Sequence, residues 1–165
     1  MRKRLLPMLV LCGALFTSAE ARAEGGPFGL GVIIGSPTGA SIKLYLNREN
    51  AIDAALGLSV LGAGGLHAHV DYLWHPLMLA RDDAFYLPLY LGVGGRVLDH
   101  SRGNNKDDDL HLGVRGVCGI LFDFKRVPID VFLEAALVID VIVDHGDEDA
   151  GRLGLNAGMG ARYYF

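Results

Sequence analysis

From residue 28 to the carboxyl end, apolar and small or polar side chains change places at almost every step. "IDAALGLSV" sets Ile52, Ala54, Leu56, Leu58 and Val60 on one face, against Asp53, Ala55, Gly57 and Ser59 on the other. "IDVFLEAALVID" sets Ile129, Val131, Leu133, Ala135, Leu137 and Ile139 against Asp130, Phe132, Glu134, Ala136, Val138 and Asp140. "RLGLNAGMGARYYF" repeats the pattern up to Phe165. A period of two belongs to strands, since a helix would scatter both sets around its axis. The same alternation predicts eight strands, at about 28–35, 39–46, 51–60, 66–75, 84–97, 110–124, 128–142 and 152–165. Turn signals separate them: "SPTG", "NREN", "GAGG", "ARDD", "SRGNNKDDD", "FKRVP" and "HGDEDAG". Connections this short fit an antiparallel up-and-down meander, all-β, in one domain.

Alternation allows two barrels of opposite polarity. A soluble, lipocalin-like periplasmic carrier would hide its bulky face inside, whereas a transmembrane barrel turns that face to lipid. The interior of an eight-stranded barrel is only wide enough for side chains to fill. Here the apolar face is uniformly bulky, and the other face carries Gly, Ala and Ser with scattered charges. That is too little charge for a solvated exterior and small enough for a crowded lumen. The chain has 23 glycines and is 51% hydrophobic, yet no apolar run reaches the length of a membrane helix. The expected fold is an eight-stranded antiparallel transmembrane β-barrel.

Its predicted lumen carries Lys43, Asp53, His67, His69, Asp71, Arg96, Arg115, Asp130, Glu134, Asp140, Arg152 and Arg162. Acids and bases in comparable number predict pairing, because an isolated buried charge costs several kcal/mol. Glycines such as Gly29, Gly31, Gly57, Gly92, Gly94, Gly113, Gly119, Gly154, Gly158 and Gly160 fall on the same face and leave room for the longer side chains. Pro88, also on that face, lacks a ladder donor and predicts a bulge or weakened pairing.

The amino end reads as a signal peptide over residues 1–23. Arg2, Lys3 and Arg4 precede the apolar "LLPMLVLCGALF", and Ala21-Arg22-Ala23 is an A-x-A cleavage site. The expected mature domain is 24–165. It keeps eleven basic and eighteen acidic side chains, a formal charge of −7 with no basic cluster, which excludes a nucleic-acid partner. Cys118 alone survives cleavage, so no intramolecular disulfide can form.

If both termini lie in the periplasm, Phe28, Tyr72, Trp74, Phe85, Phe122, Phe124, Tyr163 and Phe165 gather at the periplasmic end of the apolar face. That is one of the two aromatic girdles of a membrane barrel. The same orientation makes 47–50, 76–83 and 125–127 periplasmic turns and puts the acidic loops 98–109 and 143–151 outside. Signal peptide, eight alternating segments and a terminal "Y-x-F", Tyr163-Tyr164-Phe165, together resemble the small eight-stranded outer-membrane barrels of Gram-negative bacteria. The resemblance is architectural and covers the mature chain. It implies outer-membrane location, contact with outer-membrane lipids and lipopolysaccharide, and recognition of Tyr163 and Phe165 by the outer-membrane assembly machinery.

The expected role is structural or surface-interacting, with a mostly plugged polar lumen and a monomeric chain. A narrow pore for small solutes follows from the same interior if water runs between the pairs. "HAHVD" puts His67, His69 and Asp71 on one face, a candidate metal set that lacks a fourth ligand, so hydrogen bonding in the lumen is the preferred reading and no cofactor is implied. "NNKDDD" and "DHGDEDAG" are rich in oxygen ligands, but they lack the spaced calcium-loop pattern. Some barrels of the family it resembles are lipid A-modifying enzymes, and resemblance to the deacylases among them would imply a lipid-facing His-x-Ser pair oriented by an acid. His100 and Ser101 are adjacent, so a non-enzymatic protein is expected.

Overall fold

The computed structural model describes residues 25–59, 65–100, 109–142 and 152–165. The expected signal segment 1–23, Ser101 and nearly all of both acidic loop motifs lie outside these residues. The strands are β1 (Phe28–Gly35), β2 (Thr38–Tyr45), β3 (Asn50–Leu58), β4 (Leu66–Arg81), β5 (Phe85–His100), β6 (Asp109–Phe124), β7 (Ile129–Ile142) and β8 (Arg152–Tyr164). Each pairs antiparallel with the next, and β8 returns to β1 to close the barrel. Closure leaves no edge along the shared wall, so every strand there satisfies its backbone between two neighbours.

The register fixes the tilt. From Ser41, pairing runs through Ala55, His69, Arg96, Gly113 and Asp140 to Arg152 on β8. In the other direction Ser41 pairs with Gly31, and Gly31 with Arg162, also on β8. The two routes arrive ten residues apart on one strand. That stagger obliges the strands to slope, by about 35–45° in barrels of this kind.

Burial decides the polarity of the wall. Leu153 and Leu155 are 71% and 70% exposed, and Ile34 and Val114 both 63%, while Lys43, Arg115 and Asp130 are 0% exposed. The bulky face points out and the charged face points in. This is an inside-out barrel, apolar outside and charged within.

Two strand limits differ from those expected. β4 continues to Arg81, through the stretch 76–83 expected as a turn, and β5 continues to His100 into the expected loop 98–109. In β4 the alternation lapses at "HPLMLAR" because the strand is bulged. Its register with β5 shifts between Trp74 and Leu77 and again between Met78 and Ala80, the second shift lying opposite Pro88. Each extra residue breaks the period from which a strand is recognised.

Glycine makes the wall thin where the lumen is full. Tyr90 pairs with Gly119, Tyr164 with Gly29, Phe132 with Gly160, Asp71 with Gly94 and Asp140 with Gly113. In each pair a Cβ on the glycine would lie within 2.9 Å of its partner's side chain. The closing seam is tighter still, since a Cβ at Gly31 would stand 1.9 Å from the Ala161 carbonyl oxygen. At Gly35 the turn into β2 takes a φ of +138°, and Thr38 holds it by accepting a bond from Gly35 N at 3.0 Å.

Gly31→Val is expected to hold β1 off β8 and cost about 1–3 kcal/mol, the range typical of overpacking. Urea unfolding in detergent micelles, with Trp74 as the reporter, would show the midpoint fall. An unchanged midpoint would contradict the seam geometry.

Candidate functional site: the charged lumen

Period-two alternation on eight sloping strands delivers the charged side chains to one enclosed space. Eleven of the twelve expected lumen residues are buried there: Lys43, Asp53, His67, His69, Asp71, Arg96, Arg115, Asp130, Glu134, Asp140 and Arg162. The side chain of Arg152 lies outside the described residues. Four of these are cations and five are carboxylates, so nearly every charge has an opposite within the same space.

The pairing runs both along the wall, between neighbouring strands, and across the lumen, between strands that do not touch. Arg162 on β8 reaches Asp53 on β3 through Nη1 and Asp130 on β7 through Nε, the latter at 3.2 Å. Arg115 on β6 lies with Nε 3.1 Å from Asp71 on β4 and donates Nη2 to Glu134 on β7 at 3.0 Å. Arg96 on β5 grips both oxygens of Asp140 on β7 and donates Nη1 to Asn156 on β8 at 3.1 Å. Guanidinium suits this task, because its planar fork can serve two acceptors at once.

Two tyrosines complete the central carboxylates. The Tyr164 hydroxyl donates to Asp130 at 2.5 Å, and the Tyr90 hydroxyl to Glu134 at 3.2 Å. Asp130 and Glu134 are therefore each held by one guanidinium and one phenol. The Arg162 guanidinium also lies over the Phe132 ring, 4.0 Å from its centroid, which supports a desolvated cation from its remaining side.

Lys43 is held without a carboxylate bond. Its Nζ lies 3.1 Å from His75 Nε2, 4.6 Å from the Tyr45 centroid and 5.3 Å from that of Tyr90. His75 Nδ1 faces the Glu49 carbonyl oxygen at 2.9 Å, so Nδ1 carries the proton and Nε2 is left to accept from the ammonium. Tyr45, His75, Tyr90 and Tyr164 form an aromatic layer with ring centroids 5.5–5.8 Å apart. These four were not among the expected lumen residues. Their signal is parity alone: each sits on the inward step of its strand, near the end where the chain termini lie.

His67 and His69 have a different setting. Their rings meet edge to face at 5.4 Å, and none of their four ring nitrogens has a hydrogen-bond partner among the described residues. His69 Nε2 is 3.8 Å from Asp71 Oδ2, too far for a hydrogen bond, and Asp71 is committed to Arg115. Among the described residues no three His, Cys, Asp or Glu side chains come together as a metal site. The candidate set His67, His69 and Asp71 is thus divided by an ion pair.

Outside the wall, Tyr72, Trp74, Tyr163 and Phe165 are 47%, 48%, 48% and 66% exposed, and Phe124 is 36% exposed. Phe28, Phe85 and Phe122 are half-buried. Tyr163 meets Phe165 edge to face with centroids 5.0 Å apart, and Phe85 packs at a tilt on Phe122 at 5.6 Å. All eight lie toward the end of the barrel that holds both described termini, where Ile129 pairs with Tyr163 and Phe85 with Phe124.

Fold and lumen together define a closed eight-stranded β-barrel with an apolar exterior and an ion-paired interior. No protein-family model matches the chain, and a comparison with curated proteins finds no match. Among solved structures it is similar in fold to the N-terminal β-barrel domain of Pseudomonas aeruginosa OprF, with 14% sequence identity and a TM-score of 0.51. The match covers 84% of this chain and 95% of that domain.

Arg162→Met is expected to destabilise the barrel by about 3–5 kcal/mol, because two carboxylates lose their common cation. Adding Asp53→Asn and Asp130→Asn should recover most of that loss, since the uncompensated charges go with the cation. Urea midpoints of the single and triple variants would test this, and a triple variant no better than the single would refute it.

Proposed function

We propose that the protein is a monomeric, non-enzymatic integral barrel of the outer membrane, with both termini in the periplasm and a lumen plugged by its own ion pairs. Its role is structural or surface-interacting. The observation that carries this reading is the set of chords across the interior: Arg162 to Asp53, Arg115 to Asp71 and Glu134, and Arg96 to Asp140. All but the Arg115–Glu134 contact join strands that are not neighbours in the wall, so a solute crossing the lumen would have to break them. The exposed apolar exterior supports a lipid surround, and the aromatic side chains at one end support anchorage at an interface. Within this reading Tyr163 and Phe165 form the assembly signal, and outer-membrane lipids and lipopolysaccharide are the surrounding partners.

A narrow pore is the second reading. It draws on the groups beside the Arg96–Asp140 pair, where His67, His69, Ser41 Oγ and Asn156 Nδ2 are buried polar groups without a hydrogen-bond partner among the described residues. Groups of this kind could line a path for small polar solutes.

Two measurements test the proposal. In the outer-membrane fraction, an unboiled sample should migrate differently from a boiled one on an SDS gel, as a closed SDS-resistant barrel does. A soluble periplasmic protein without that shift would overturn the location and the membrane reading together. In planar bilayers the wild type should be silent at high protein loading in concentrated KCl, whereas Arg96→Ala with Asp140→Ala should produce discrete current steps. Steps from the wild type itself would favour the pore.

A further inference from the structure

The β4–β5 hairpin runs on after the wall beside it has ended. The β3–β4 ladder stops at Asn50–Trp74, with one further bond from His75 N to the Glu49 carbonyl oxygen at 2.7 Å. β4 nevertheless pairs with β5 as far as Arg81–Tyr86, and β5 with β6 as far as Phe85–Phe124. The ends of β4, β5 and β6 thus form a flap whose free edge is Pro76–Arg81. Along that edge no backbone partner occurs on the β3 side among the described residues.

The edge strand of the flap is also exposed along its side chains. Leu77, Met78 and Leu79 are 55%, 37% and 47% exposed. Leu77 and Met78 pair in unbroken register with Leu89 and Pro88 and so point to opposite faces, which leaves the edge strand exposed on both. Leu46, in the turn where β3 gives way, adds another apolar side chain at 46% exposure.

Edge and faces make opposite demands on their surroundings. In water the open backbone is satisfied but the leucines are not. In hydrocarbon the leucines are satisfied, but an open sheet edge is not tolerated. A strand laid against the edge meets both demands, because it brings its own N–H and C=O groups and its own apolar side chains.

We infer that the free edge Leu77–Arg81 is a docking site for an extended, alternately apolar polypeptide segment, which continues the ladder that β3 leaves at Asn50. The segment runs antiparallel to β4, as β3 does, and exposed Arg81 at the far end favours an acidic residue near its amino end. A second copy fits poorly. The two-fold axis of an antiparallel strand pair stands perpendicular to the sheet, so pairing two such edges would invert one barrel relative to the other. Pro76 and the two register shifts shorten and twist the edge, which discourages open-ended sheet growth and suits a single short segment. The inference concerns the edge alone and stands whether or not the lumen conducts.

The probe is a labelled peptide, ETVTLTVK, titrated onto the full mature protein in detergent micelles. Saturable binding is expected, weakened at least tenfold by Leu79→Lys. On the wild-type protein, the same peptide N-methylated at alternate residues should also lose at least tenfold, which keeps the test independent of how the variant folds. Amide exchange at residues 77–81 should slow only when the peptide is added. The inference is overturned by absence of saturable binding, or by binding indifferent to both changes. It is equally overturned if those amides are protected in lipid vesicles without peptide, which would make lipid the occupant. A dimer that Leu79→Lys dissociates would make the occupant a second copy, with the same effect.

Discussion

A guanidinium enclosed by a β-barrel has no bulk water to turn to, and the requirement that it meet a carboxylate organises this molecule. Three arginines on three strands pair with five carboxylates, and three of these contacts cross the interior to tie β3 to β8, β4 to β6 and β5 to β7. The backbone ladder joins only neighbours, so these chords are what resist flattening of the cylinder. Arg162 has a special place because it lies on the last strand while Asp53 lies on the third. Their contact exists only in the closed barrel, and closure at the β1–β8 seam is therefore coupled to neutralising the interior.

Crowding follows from the same requirement. Long charged side chains and tyrosines can share a narrow lumen only if the strand beside each one yields space. The glycines opposite Tyr90, Tyr164, Phe132, Asp71 and Asp140 supply that space from the backbone. A glycine-rich composition, which would weaken an ordinary strand through entropy and lost packing, is here the counterpart of a polar core. The entropic cost is set against ion pairs that could not otherwise be accommodated.

Much of this was legible in the sequence, because a period of two states both the element and the face. The charges that point inward, the uniformly apolar exterior and the number of strands all follow from counting alternate positions. Which charges meet does not follow. Arg162 and Asp53 are 109 residues apart and are joined by curvature and by the ten-residue stagger, neither of which is written in any local pattern. The far end of β4 was hidden for a local reason, since its bulges place Leu77, Met78 and Leu79 in a row that resembles no strand. Tyr45, His75, Tyr90 and Tyr164 could be placed by parity, but an aromatic residue near a barrel rim is more readily assigned to the lipid face. The inward role of Tyr45, His75 and Tyr90 rests on Lys43, which they surround, and that of Tyr164 on Asp130.

The strands of the wall are of unequal length. β1, β2 and β3 have 8, 8 and 9 residues, whereas β4, β5 and β6 have 16 each. A bilayer of uniform thickness cannot match both sides of such a cylinder while its axis stays upright. Hydrophobic mismatch is relieved by leaning, by local thinning or by both. Under the proposed membrane location, lipids beside the β1–β3 wall would have the least apolar height to cover, and that flank would press hardest on the order of the membrane around it.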